Sequence, residues 1–166
     1  MSDQNDFGKL EHLIKDVKVA MMTTADEEGR LHSRPMASLH APFDGDLWFF
    51  TSSASHKVLE MSRDARVSLA YANPDRDVYV SVTGTAALLR DPAKVKELWE
   101  PVMKTWFPAG IEDPQLALLK VRVERAEYWD SSGGAVGSLV GFVKAMAAGH
   151  RHAPAQGEHG ELDLAE

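Results

Sequence analysis

Cysteine is absent from the 166-residue chain. That excludes disulfides, thiolate metal sites and cysteine nucleophiles, so any redox chemistry must come from a bound cofactor. Positive charge is scarce: 18 Lys and Arg stand against 25 Asp and Glu, a formal charge of −7. A nucleic-acid partner calls for a basic face and is not expected, although a small phosphate ligand needs only a local cluster. Long apolar runs are missing too. The longest, Ala135 to Ala148, is broken by Ser138, Gly141 and Lys144 and is too short to span a bilayer. The polar, acidic N-terminus has no signal-peptide pattern. No membrane association is therefore expected, and the cytoplasm is the expected location. His12, His32, His40 and His56 show no metal-ligand spacing, His150, His152 and His159 fall in the tail, and the chain has no Walker loop, G-x-S-x-G or G-x-G-x-x-G.

What is present reads as one domain over residues 1–149, followed by a polar, acidic tail at 150–166 that is expected to fray. Phe7, Leu10, Leu13, Ile14 and Val17 recur at helical spacing and predict an opening helix, with Asp3, Asn5 and Asp6 available at its start. From Val19 the pattern turns to strands: VAMMTTA, the turn Asp26-Glu27-Glu28-Gly29, LHSRPMASL, the turn Pro42-Phe43-Asp44-Gly45, then LWFFT. Ser55 is placed to cap a short helix carrying Val58, Leu59 and Met61. RVSLAYA alternates as the next strand, and Val78 to Leu89 forms a long one in which Gly84 predicts a bulge. Asp91-Pro92 is a helix start, with an apolar stripe from Val95 through Trp106 that Pro101 should kink. A last long strand runs from about Leu116 to Trp129, and Val136, Leu139, Val140, Val143 and Met146 suggest a terminal amphipathic helix. About six mostly antiparallel strands with segregated helices predict an α+β fold built on a barrel.

The densest chemistry lies in Thr51-Ser52-Ser53-Ala54-Ser55-His56-Lys57. With Ser55 as cap, His56 and Lys57 occupy the first helical turn, where cations oppose the helix dipole. A phosphate bound at the helix start would reconcile them; so, from this fragment alone, would a solvated lysine on a surface helix. If the turn at Phe43-Asp44 closes a hairpin, paired residues sum to about 87, which sets Met36 beside Thr51 and Arg34 beside Ser53. Arg34 would then join Lys57 at the serine loop, and two cations, three serines and a helix start make a phosphate site. Pro35, inside a strand, marks an edge or a bound ligand. Trp48, Phe49 and Phe50 read as core. Trp129, at the end of the last strand, is placed to stack on a flat ring or to cover an interface.

Taken together, VAMMTTADEEGRLHSRPM, LWFFTSSASHKVLEM, DVYVSVTGTAALL and AEYWD resemble the FMN-binding split-barrel superfamily. Within it the chain is most similar to the general stress proteins related to pyridoxamine 5′-phosphate oxidase. The resemblance implies an antiparallel split β-barrel and a homodimer with flavin, FMN or alternatively FAD, at the subunit interface. It implies that Arg34, Ser52, Ser55 and Lys57 hold the flavin phosphate, with His56 as the other member of the basic pair. The backbone of Arg34, Pro35, Met36 and Ala37 would line the isoalloxazine, and Phe50 and Thr51 would meet it at the end of their strand. Tyr79 stands where the oxidases place a glutamine, and Trp129 where the partner subunit brings a tryptophan to the ring. The oxidases' closing Arg-Leu-His-Asp-Arg segment is replaced here by Ser131-Ser132-Gly133-Gly134-Ala135-Val136, and their lysine near the ring by Leu39. Flavin binding without pyridoxamine phosphate oxidation is thus the expectation. The alternatives are a flavin-dependent oxidase or reductase of a small molecule such as a B6 vitamer, and a deazaflavin- or haem-binding split barrel.

Overall fold

The computed structural model describes residues 3–132 and 157–165. The terminal helix expected over residues 136–146 lies outside the described residues. Helix α1 (Asp3–Ile14) opens the chain, followed by strands β1 (Val19–Ala25), β2 (Leu31–Ala37) and β3 (Asp46–Ser52). Helix α2 (His56–Arg63), β4 (Arg66–Asn73), β5 (Val78–Leu89) and α3 (Pro92–Leu98) come next. The 15-residue β6 (Leu116–Asp130) and a short β7 (Glu158–Asp163) complete the described elements.

The strands form one antiparallel sheet in the order β2-β1-β4-β5-β6-β3, with β7 added on β6. One edge of β6 is taken by β5. Its other edge holds β3 along Leu116–Arg122 and β7 along Arg125–Asp130. The end strands β2 and β3 approach each other without a hydrogen-bonded ladder. The sheet is a half-barrel with a split, the split-barrel architecture that the sequence predicts.

Alternation decides what the barrel encloses. Ala20 and Met22 of β1, Val67, Leu69 and Tyr71 of β4, and Val78, Val80 and Val82 of β5 point into one core, which α1 completes with Leu10, Leu13 and Ile14. Each of the valine, leucine, isoleucine and methionine side chains among them stabilises the fold by roughly 1.5–3 kcal/mol relative to exposure. The first residues of β6, Leu116 to Leu119, are buried on both faces. Leu119 serves the barrel core, while Leu116 and Leu118 serve a second cluster with Phe50, Val95, Leu98 and Met103. Asp91 caps α3 as expected, its carboxylate accepting from the Ala93 and Lys94 amides.

Three expectations need correction. The segment before β3 does not close a hairpin. β2 pairs with β1, setting Arg34 opposite Met22, and β3 pairs with β6. The tight turn is the earlier one, where the Asp26 carboxylate accepts from the Glu28 and Arg30 amides and Gly29 adopts a φ of +77°. That local closure commits β2 to β1. The second helix of the expected stripe is not kinked but ended: Glu100, before Pro101, is extended (φ −114°, ψ 144°), and a 3-10 turn follows over Pro101–Thr105. Trp106 is accordingly 60% exposed rather than core. The tail expected to fray carries β7, which buries Leu162 and Leu164 in the barrel core. Two leucines two residues apart are a strand signal that the surrounding acids and glycines hide in the composition.

Gly84 sits at a register shift as predicted: Thr83 faces Arg125 and Gly84 faces Val123, leaving Glu124 unmatched on β6. A Cβ at Gly84 would fall 2.1 Å from the backbone oxygen of Arg122, which no side-chain rotation relieves. Gly84→Ala should therefore lower stability by about 1–3 kcal/mol, the usual cost of overpacking. Urea unfolding followed by tryptophan fluorescence measures this, and an unshifted midpoint would refute the steric assignment.

Candidate functional site

Thr51, almost fully buried at the end of β3, leads into the turn Ser52–Ser55 and so to the start of α2. Ser55 occupies the cap position with extended backbone, but its side chain makes no capping hydrogen bond to the helix. Its hydroxyl instead faces Lys57: the Lys57 Nζ donates to Ser55 Oγ and to Thr51 Oγ1, each at 3.2 Å. The first turn of α2 has no acidic residue. The positive end of the helix dipole and a lysine thus lie together, and both hydroxyls on that lysine are neutral.

Arg34 reaches the same place from β2, across β1. Its Nη2 donates to Glu60 Oε2 at 3.0 Å, and its Nη1 donates to Thr24 Oγ1. Thr24, 1% exposed on β1, donates in turn to Glu60. Glu60 lies one helical turn beyond Lys57, so α2 carries both onto one face. Burial pushes the Lys57 ammonium below its ordinary pKa, and the Arg34 charge lowers it further, while Glu60 works in the opposite direction. Glu60 is held below the ordinary carboxylate range first by the Thr24 hydroxyl and also by Arg34, against the cost of its burial.

The convergence of Arg34 and Lys57 expected from the sequence is therefore present, but by a different route. The hairpin that was to deliver it does not exist; strand β1 and helix α2 deliver it instead. Ser52 is tied into its own turn, accepting from the Ala54 amide and donating to Gln115 Oε1. His56 is exposed at the helix start. Sequence reasoning missed Thr24, Glu60 and Arg90. Arg90 joins the loop from the far end of β5, its Nη2 donating to Ser53 Oγ at 3.0 Å. The one available signal was the Lys57-to-Glu60 spacing on a predicted helix; Thr24 and Arg90 depend on tertiary neighbours.

The other candidates divide by sheet face. Met36 is buried in the barrel core, so only its backbone is open to a ligand. Phe50 packs in the second cluster, edge-on to Trp99 at 5.5 Å between ring centroids. Pro35 and Ala37 lie on the outer face, opposite Met21 and Val19 of β1. Tyr79 and Trp129 are direct neighbours across β5 and β6. Trp129 is 42% exposed and stacks on His159 of β7 at 5.2 Å, and His159 Nε2 lies 2.9 Å from Glu127 Oε1. This outer group is three to four strands away from Arg34 along the sheet order. Just beyond the C-terminal end of β2, a cavity of about 310 Å³ is lined by Ser38, Leu39, Phe43, Trp48 and Tyr71. Among the described residues, no three or more His, Asp or Glu side chains come together to hold a metal ion, and no helix is long and apolar enough to cross a membrane.

The donor set at the start of α2 (an ammonium, a guanidinium, hydroxyls and backbone amides) suits a phosphate ester. The chain is similar to several known proteins. The pyridoxamine 5′-phosphate oxidase-like family matches residues 5–153. The protein bli-3 of Neurospora crassa is 30% identical over 142 residues, covering 80% of this chain and 68% of that protein. Among solved structures, the general stress FMN/FAD binding protein of Xanthomonas citri is 28% identical with a TM-score of 0.67, over 82% of this chain and 96% of that one. General Stress Protein 26 of Bacillus anthracis shares the fold at 21% identity and a TM-score of 0.64, over 77% of this chain and 94% of that one. With the split barrel, its opening helix and the serine loop all inside the matched span, the chain belongs to the pyridoxamine 5′-phosphate oxidase-like family.

Proposed function

We propose that this protein binds a flavin phosphate, FMN foremost and FAD alternatively, as a homodimer in which each site draws on both subunits. The observation that carries the reading is Lys57. It is a partly buried ammonium bonded to neutral hydroxyls beside a second cation, at a helix start that offers no acid. Like charges held together at partial burial are costly, and Glu60, paired with Arg34 at 3.0 Å, offsets only part of that cost, which favours a further anion at Lys57. Arg34, Ser55 and Lys57 would take the phosphate, with Thr51 holding Lys57 in place and the β2 backbone from Arg34 to Ala37 beside the ring. A bound flavin would supply the electron chemistry that the cysteine-free side chains lack. The Xanthomonas relative, described as binding FMN and FAD, supports the choice of ligand.

Lys57→Glu places a carboxylate where the phosphate would sit. FMN affinity should fall by at least about tenfold, since a hydrogen bond to a charged group contributes about 1.5–3 kcal/mol. Riboflavin, which has no phosphate, should be much less affected. Flavin fluorescence titrations of both ligands decide it, and an equal response of the two would remove the phosphate from this site.

The outer face supports the dimer reading. Val19, Met21 and Trp129 are large apolar side chains left exposed on one side of the sheet, beside Pro35, Ala37 and Tyr79. A second copy is the partner that the shared-site reading requires. Light scattering of the flavin-loaded protein should give twice the 18.3 kDa chain mass. A monomer that still binds FMN with micromolar affinity would overturn the shared site.

Oxidation of pyridoxamine 5′-phosphate is not part of this proposal. A second phosphate in a desolvated pocket needs its own cations. Arg34 and Lys57 are committed to the flavin, and the sequence between Trp129 and Lys144 contains no Lys or Arg. The flavin-loaded protein should form pyridoxal 5′-phosphate no faster than free FMN does. Several turnovers per minute in a coupled absorbance assay would place it among the oxidases instead.

A further inference from the structure

We propose that Arg90 forms a second phosphate subsite beside the serine loop, placed for the outer phosphate of a flavin dinucleotide such as FAD. The proposal rests on the flavin-phosphate reading above and extends it from one phosphate to two. Arg90 follows β5 directly and reaches over the start of β6. Its Nη2 donates to Ser53 Oγ at 3.0 Å, and its Nη1 donates to the Pro114 carbonyl at 3.1 Å. Both acceptors are neutral. The acids nearest in sequence are engaged elsewhere: Asp91 accepts from the Ala93 and Lys94 amides, and Asp113 accepts from the Gln115 amide. Among the described residues no carboxylate pairs with Arg90. A guanidinium fork carries more N–H donors than these two bonds use, so it can grip a phosphate as well.

The placement of the two arginines gives the site a direction. Strand β3, which leads into the serine loop, pairs with β6, and β6 pairs with β5. At the level of the loop, Ser52 lies opposite Leu116, and Leu118 lies opposite Leu89, the residue before Arg90. Arg90 thus comes to the loop from the β5–β6 side. Arg34 comes from β2, at the other end of the strand order. Ser53 and Ser55, which bond Arg90 and Lys57 respectively, sit on one turn closed by the Ser55 amide on the Ser52 carbonyl at 3.0 Å. With the first phosphate on Lys57 and Arg34 and the ring along β2, Arg90 stands on the side of the loop away from the ring. A second phosphate joined to the first leaves in that direction. Selection is therefore by position and not by total charge: FMN and FAD are about equally charged at pH 8, but only FAD carries an anion beyond the first phosphate. The same placement keeps Arg90 from serving a substrate phosphate, which would have to lie at the ring. Arg90 is exposed, so its contribution is open to screening by salt.

Isothermal titration calorimetry of riboflavin, FMN and FAD at pH 8 and low salt, on the wild-type protein and on Arg90→Gln, tests the subsite. The wild type should bind both FMN and FAD more tightly than riboflavin. Arg90→Gln keeps a donor for Ser53 or Pro114 but removes the charge. It should weaken FAD about tenfold more than FMN, a difference of about 1.4 kcal/mol. A difference under about threefold overturns the subsite. Equal losses of both ligands would leave Arg90 as a clamp on the serine loop only, and no loss of either would leave it a solvated side chain. FAD binding no tighter than riboflavin while FMN still binds overturns it as well. Should Arg90→Gln not fold, the wild type decides by salt: between about 0.05 and 0.5 M, FAD affinity should fall more steeply than FMN affinity, because an exposed cation is screened more than a partly buried one. Parallel salt dependence overturns the proposal. FMN and FAD both binding no tighter than riboflavin would sink the flavin-phosphate reading itself, an outcome distinct from the failure of Arg90.

Discussion

Arg34 and Lys57 repel each other, and the fold holds them together anyway. Lys57 is fixed by its place in the first turn of α2 and by the hydroxyls of Thr51 and Ser55. Arg34 is fixed by Thr24 and Glu60. Neither anchor would exist without the sheet: Thr24 and Arg34 come from adjacent strands, while Thr51 ends the strand that feeds the helix. Glu60 offsets part of the repulsion, but one carboxylate does not balance two cations. A partly buried cluster with an uncompensated positive charge is destabilised by its own field.

That arrangement depends on how the barrel is split. Because β2 pairs only with β1 and β3 only with β6, the ends of the sheet carry Arg34 and Thr51 toward one another without a ladder between them. A closed barrel would fill that gap with backbone hydrogen bonds. Strand β6 makes the opening affordable by acting as a common wall. It binds β5 along one edge and β3 then β7 along the other, and its first residues are buried on both faces. The bulge at Gly84 lets the long β5–β6 pair bend, where a side chain would collide with Arg122.

The features legible in the sequence were those set by local chemistry. The Asp26–Gly29 turn, the Asp91 cap, the Gly84 bulge and the serine loop before α2 each arise within a few residues of the signal that predicts them. What failed was pairing between distant segments. The hairpin assigned to β2 and β3 used a turn-like string, Pro42 to Gly45, that lies in a connection and not between paired strands. Arg34 was nevertheless placed beside Lys57, correctly but for the wrong reason, since β1 and α2 bring them together. Glu60 and Thr24 were invisible because their roles exist only once those elements pack. Strand β7 was missed because its two leucines sit among acids and glycines, and their burial depends on an edge of β6 that β3 leaves free.

The two halves of the candidate site also lie on opposite faces of one sheet. Arg34 shares its face of β2 with Met36, a core residue two positions on, and bonds the buried Thr24, so it faces the barrel side. Trp129 alternates with Tyr128, also a core residue, so its own ring faces outward, where it stacks on His159. Along the sheet, β2 and β6 are separated by four strand spacings of about 4.8 Å each, roughly 19 Å before curvature. Arg34 and Trp129 of one chain therefore do not face a common space. If Arg34 and Trp129 serve the same ligand, as the family resemblance implies, the tryptophan must come from a second copy. In that case the exposed apolar outer face is the surface that brings it, and the His159 stack sets its angle. Strand β7, which carries the His159 that stacks on Trp129, lies beyond the span the family matches.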